Sequence, residues 1–199
     1  MFPPAGARAI NKAEAVGGRS MYYGLPIYAA KLVFIIDTSG SMHKATSRGS
    51  RIELAKRELI NAINGLPEGV YFDVVAFDRQ VYPWQRQLAV ASSENKKKAS
   101  MWVMSRGLGG ATASYDALEA ALDLDAEAIY FLTDGAPHGG KEENPINIIE
   151  LISRLNFTRR ETIHAIGIDV GPALPTNPFH FFLNTLAERN YGEYRAVNE

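Results

Sequence analysis

The chain contains no cysteine, which excludes disulfide staples, zinc–thiolate centres and thiol catalysis. It also lacks an excess of either charge: 21 Lys and Arg face 22 Asp and Glu, for a formal net charge of −1. Non-specific binding to nucleic acid or to a membrane surface needs a clear basic excess, so neither is expected. The short basic runs Lys96-Lys97-Lys98 and Arg159-Arg160 read as solvated faces and loop ends. No stretch reaches the ~18 uninterrupted apolar residues of a membrane span. Met1 to Ser20, rich in Ala, Gly, Arg and Pro, has no apolar signal-peptide core. The compartment is therefore left open, and the chain is expected to be soluble and to belong to a longer polypeptide or complex. Internal repeats, a P-loop and a Gly-x-Ser-x-Gly elbow are all missing, and Gly107-Leu108-Gly109-Gly110 has neither the position nor the spacing of a dinucleotide fingerprint.

What is present is an apolar content of 46% over 199 residues, enough for one well-buried domain. Residues 1–29 read as an N-terminal lead-in, whose aromatic stretch Met21 to Tyr28 lies against the body, and residues 30–199 as the domain proper. Leu32 to Ile36 and Ala128 to Leu132 are short unbroken apolar runs, the pattern of strands buried on both faces. Val70 to Phe77, Thr162 to Val170 and Gly192 to Val197 read as further strands. Val81 to Val90, interrupted by Pro83, suits an antiparallel edge strand. Between them, apolar residues at three- and four-residue spacing predict helices over 51–64, 94–107, 114–122, 144–155 and 178–189. In the fourth, Ile146, Ile149 and Ile152 or Leu151 are expected to face inward. Strands alternating with helices imply parallel pairing, and hence a three-layer, doubly wound α/β fold with helices on both faces of a mostly parallel sheet.

Three pieces carry the chemistry: Asp37-Thr38-Ser39-Gly40-Ser41 at the end of the first strand, Gly109-Gly110-Ala111-Thr112 in a loop before a helix, and Thr133-Asp134-Gly135 at the end of the strand over 128–132. Ligands of doubly wound sheets bind beyond the carboxyl ends of the strands, where strand order reverses. Asp37, Ser39 and Ser41 alternate, so a loop curling over the strand tip would turn their oxygens towards one point, with Gly40 relieving crowding between the serines. Two carboxylates and three hydroxyls form an all-oxygen set, suited to a hard cation such as Mg²⁺, Mn²⁺ or Ca²⁺. Waters would complete the shell and leave one vertex for an incoming anion, a carboxylate by preference.

Phe34-Ile35-Ile36-Asp37-Thr38-Ser39-Gly40-Ser41-Met42, Thr112 with Tyr115-Asp116-Ala117-Leu118, and Leu132-Thr133-Asp134-Gly135 resemble the three elements of the metal-ion-dependent adhesion site of von Willebrand factor A domains, in the bacterial style. The resemblance covers about residues 30 to 197. It implies that Ser39, Ser41 and Thr112 touch the metal, that Asp37 and Asp134 act largely through waters, and that a Glu or Asp of a protein partner fills the open position. The extra Ala111 before Thr112 departs from the family pattern and bears on the reach of that threonine. No catalysis is implied. Two other roles stay open: an interaction subunit of a larger assembly resembling chelatase or MoxR-type ATPase partners, and a hydrolase. The hydrolase needs a base beside Ser39, for which only His43 and His138 are near in sequence. Both histidines otherwise read as exposed loop residues, Asp116 as a carboxylate bonded to backbone at a helix start, and the sequon Asn156-Phe157-Thr158 as incidental.

Overall fold

A computed structural model describes residues 20–171 and 177–198. Its centre is a seven-stranded sheet built from β1 (Lys31–Asp37), β2 (Tyr71–Phe77), β3 (Val81–Pro83), β4 (Ala89–Val90), β5 (Ala128–Thr133), β6 (Thr162–Ile168) and β7 (Tyr194–Val197). The strand order is β7-β6-β5-β1-β2-β3, with β4 also on β2. β1 pairs in parallel with both β2 and β5, and β6 in parallel with β5 and β7. Only β3 and β4 run antiparallel, both against β2. The edge segment read as one strand over Val81 to Val90 is thus two short ones: past Pro83 the Trp84 amide still donates to the Val74 carbonyl at 2.7 Å, but the Gln85 amide turns to the Asp73 carboxylate.

Among the described residues five α-helices cover the sheet: α1 (Arg51–Gly65), α2 (Ser93–Ser105), α3 (Ser114–Leu122), α4 (Pro145–Arg159) and α5 (Pro178–Arg189). Side chains alternate across a strand, and β1 shows the result. Leu32, Phe34 and Ile36 pack with Ile52, Ala55, Leu59 and Ile63 of α1 and Ala99 and Val103 of α2. Val33 and Ile35 face the opposite layer, with Leu118 of α3, Ile148 and Ile152 of α4 and Phe182 of α5. Both faces of the inner strands are dry, which is why β1 and β5 read as continuous apolar runs. In α4, Ile149 and Ile152 face inward as expected, but Ile146 is 56% exposed, and Ile148 and Asn156 complete the buried stripe. The described part of the lead-in adds Tyr22, Leu25 and Ile27 to the core, with Tyr22 edge-on to Phe34 at 5.2 Å between ring centres. Residues 1–19 lie outside the described residues. No helix among the described residues is long and apolar enough to cross a membrane.

From β1 the chain turns to β2 on one side and only later reaches β5 on the other. The loops leaving β1 and β5 therefore diverge, and the crevice between them is the place where this architecture holds ligands.

Candidate functional site

The loop after β1 is set by its own carboxylate. Asp37 is fully buried; its Oδ1 accepts the Ser39 amide at 2.7 Å, and its Oδ2 accepts the Thr133 hydroxyl at 2.5 Å. The first bond curls the chain over the strand tip, and the second ties β1 to β5. Burial pushes the Asp37 carboxyl up to about 6, against the downward pull of the Ser39 and Thr133 hydrogen bonds, and the Asp134 charge adds to the rise. Beyond Ser39 a single 3₁₀ turn, Gly40–His43, brings Ser41 back beside it. The two hydroxyls stand 3.1 Å apart, and Ser41 donates to Asp134 Oδ1 at 2.6 Å. Asp37, Ser39, Ser41 and Asp134, spread over almost a hundred residues of sequence, thus meet in one hydrogen-bonded cluster.

Thr112 arrives on a separate loop. The Gly109 amide donates to the Thr38 carbonyl at 2.8 Å, and Thr112 exchanges two backbone hydrogen bonds with His138, of 2.6 and 3.0 Å. Among the described residues no hydrogen bond joins Thr112 to the other four. Gly40 lies against this loop: a Cβ there would stand 3.4 Å from the Gly109 carbonyl oxygen, an ordinary van der Waals contact.

Other side chains fall into plainer roles. Asp116 accepts the Lys141 amide at 2.9 Å, which pins the 138–141 loop to α3 and not the helix start. His43 is exposed, with Nδ1 2.5 Å from the Gly40 carbonyl oxygen. The His138 Nδ1 lies 3.4 Å from Glu143. Neither imidazole forms a hydrogen bond with a site serine.

The sequence reading missed Arg51. A capping box of Ser50 and Glu53 starts α1 at this residue, yet its side chain is only 7% exposed. It donates from Nη1 to Asp134 Oδ2 at 2.6 Å, from Nε to Asp169 Oδ2 at 3.0 Å, and from Nη2 to the same Asp169 oxygen and to the Asp169 carbonyl. Burial would lower the guanidinium pKa, but the bonds and charges of Asp169 and Asp134 outweigh it and raise it. A cation in the first turn of a helix opposes the helix dipole. That conflict is the one sequence signal that Arg51 has buried anionic partners. Thr133, quoted within the third piece but given no role there, donates its hydroxyl to Asp37.

The donor set fits a hard cation better than a soft one. Every side-chain donor is oxygen, and only two are carboxylates. Neighbouring ligands of an octahedron with ~2.1 Å bonds stand ~3.0 Å apart, close to the 3.1 Å between the Ser39 and Ser41 hydroxyls. Among the described residues, no group of three or more His, Asp or Glu side chains forms a cation cage, so any ion here would rely on hydroxyls.

Fold and site together define a three-layer α/β domain with an oxygen-lined crevice at its switch point. The family model of the von Willebrand factor type A domain matches residues 30–196, and the chain belongs to this family. It is 30% identical over 161 residues to human von Willebrand factor A domain-containing protein 3B, covering 76% of this chain and 12% of that protein. It is 29% identical over 189 residues to bovine inter-alpha-trypsin inhibitor heavy chain H3, covering 88% of this chain and 20% of that one. The chain thus spans a small fraction of the length of either relative. A bacterial fold neighbour is von Willebrand factor type A from Catenulispora acidiphila, with a TM-score of 0.68 at 23% identity over 84% of this chain and 38% of that chain. Domains of this family are commonly protein-interaction modules, and they often bind a divalent metal ion.

Proposed function

We propose that this domain captures a protein partner through a divalent cation, Mg²⁺ or in its place Mn²⁺ or Ca²⁺, held by Asp37, Ser39, Ser41, Thr112 and Asp134. When bound, the ion supplies a Lewis-acidic vertex for a Glu or Asp carboxylate of the partner. The observation that carries this reading is the meeting of Asp37, Ser39, Ser41 and Asp134 at the carboxyl ends of β1 and β5.

Each residue has a distinct task. Ser39 and Ser41 present neutral oxygens at octahedral spacing. Both oxygens of Asp37 accept hydrogen bonds from the protein, so it orients the loop and balances charge from behind, through waters. Asp134 accepts the Ser41 hydrogen, so the Ser41 oxygen is left to act as an acceptor. Thr112, on the neighbouring loop, would add a third hydroxyl.

The test is a Mg²⁺ titration followed by calorimetry and thermal unfolding, with Asp37→Ala beside the parent chain. The parent should melt higher with Mg²⁺, by the linkage of ion binding to the folded state, and the variant should not. Equal ion response in both proteins, or undiminished partner binding in excess chelator, defeats the proposal.

A further inference from the structure

We infer that Arg51 is a counter-cation built into the site, competing with the divalent ion for the charge of Asp134 and thereby setting the affinity for that ion. This rests on the reading of the site as ion-holding, and it concerns a residue outside the ion-holding set.

A guanidinium stays protonated at any accessible pH, so burying one requires anionic partners. Arg51 divides itself between two. The Asp134 side chain is wholly buried, and its oxygens are split: Oδ1 accepts the Ser41 hydroxyl and Oδ2 accepts Arg51 Nη1. The fixed positive charge therefore sits one carboxylate's width from the hydroxyl pair. Asp169 takes the other donors, from Nε and Nη2, on both its carboxylate and its carbonyl. To do so it holds φ at +48°, a left-handed conformation that costs a non-glycine residue energy and persists only where contacts enforce it.

Two consequences follow from this placement. With no ion bound, Asp134 is still paired, so the fold does not depend on the metal to neutralise a buried carboxylate. With an ion bound, the guanidinium repels it across a poorly solvated gap where screening is weak. Asp169 moderates that repulsion by drawing the guanidinium away, leaving Asp134 only one of its nitrogens. If Arg51 were only a structural anchor, removing it would loosen Asp134 and weaken ion binding. A counter-cation predicts the opposite sign.

The experiment is Mg²⁺ calorimetry on the full chain, with melting measured in chelator and in saturating Mg²⁺. Arg51→Met, which keeps an apolar stem and drops the charge, should bind Mg²⁺ about tenfold more tightly. It should also melt below the parent in chelator and regain the difference with Mg²⁺. Arg51→Lys should stay within about threefold of the parent. Asp169→Asn, which concentrates the guanidinium on Asp134, should bind several-fold more weakly. Equal or weaker affinity in a folded Arg51→Met overturns the inference. Should that variant fail to fold, unchanged or tighter binding by Asp169→Asn overturns it instead. Heat in Arg51→Met but not in the parent upholds it, whereas no heat in either protein removes the ion reading and this inference together.

Discussion

Asp73 gives the sharpest energetic prediction away from the site. It sits on β2 with no exposed surface, opposite Val33 of β1. Its Oδ1 accepts the Val74 amide at 2.8 Å and the Gln85 amide at 3.0 Å, while its Oδ2 has no partner. Burial pushes the carboxyl from 3.8 up to about 7, with the two amide bonds pulling the other way. The folded chain thus keeps a proton that the unfolded chain releases near pH 4. The stability tied to that proton is fully present below pH 4 and is lost as pH rises through 7. At ~1.4 kcal/mol per pH unit, the loss approaches about 4 kcal/mol above pH 7, and local relaxation brings the realised value to about 2–4 kcal/mol. Asp73→Asn keeps the acceptor for both amides and cannot ionise. Its stability should match the parent near pH 4 and exceed it by this amount at pH 8, a rise in Tm of roughly 5–10 °C for a domain of this size. Urea unfolding from pH 4 to 8.5 measures the two curves. Parallel curves across that range would refute the reasoning, since they would mean that Asp73 ionises in the fold without penalty.

Glu161 is 2% exposed with neither carboxyl oxygen partnered. Burial raises its pKa to about 8, against the lowering effect of Arg159 and with Asp125 and Asp123 adding to the rise. By the same sign argument, Glu161→Gln should lack the stability loss that the parent shows as pH rises from about 4.5 through 8, as read from melts across that range. Gly192→Ala would place a Cβ 1.9 Å from the Ile163 carbonyl oxygen, a backbone clash between β6 and the turn before β7. A loss of about 3 kcal/mol or more is expected in chemical unfolding. Asn156→Leu removes bonds to the Glu161 amide and carbonyl and to Asn190; stranding these buried partners should cost about 2–4 kcal/mol, again by chemical unfolding.

The layers of this fold were legible because one rule decides them. Strands buried on both sides have no polar positions, and β1 and β5 announce themselves that way. The helices α3 and α5 also lie where period and caps put them, over Ser114–Leu122 and Pro178–Arg189. The errors come from polar atoms that behave like core. The buried stripe of α4 ends in Asn156, 1% exposed, and a hydropathy reading that treats asparagine as solvent-facing places the stripe too early and turns Ile146 inward. The same burial makes the sequon around Asn156 idle in the folded chain, since the Asn156 amide nitrogen donates to Glu161 and Asn190.

The site divides along the same line. Ser39 and Ser41 with Asp37 could be read from spacing, because a loop of five residues fixes its own geometry through local bonds such as the Ser39 amide to Asp37. Asp134 follows from the switch point, because strand order alone brings β5 beside β1. Arg51 and Asp169 obey neither rule: they lie 118 residues apart and meet only because α1 begins beneath the end of β6. A charge that a local rule places badly, here a cation at a helix start, is satisfied by something distant in the chain. The electrostatics of this crevice therefore do not follow from the Asp37–Ser41 and Thr133–Gly135 loops by themselves, for the fixed charge paired with Asp134 sits at the start of a helix read from its apolar spacing.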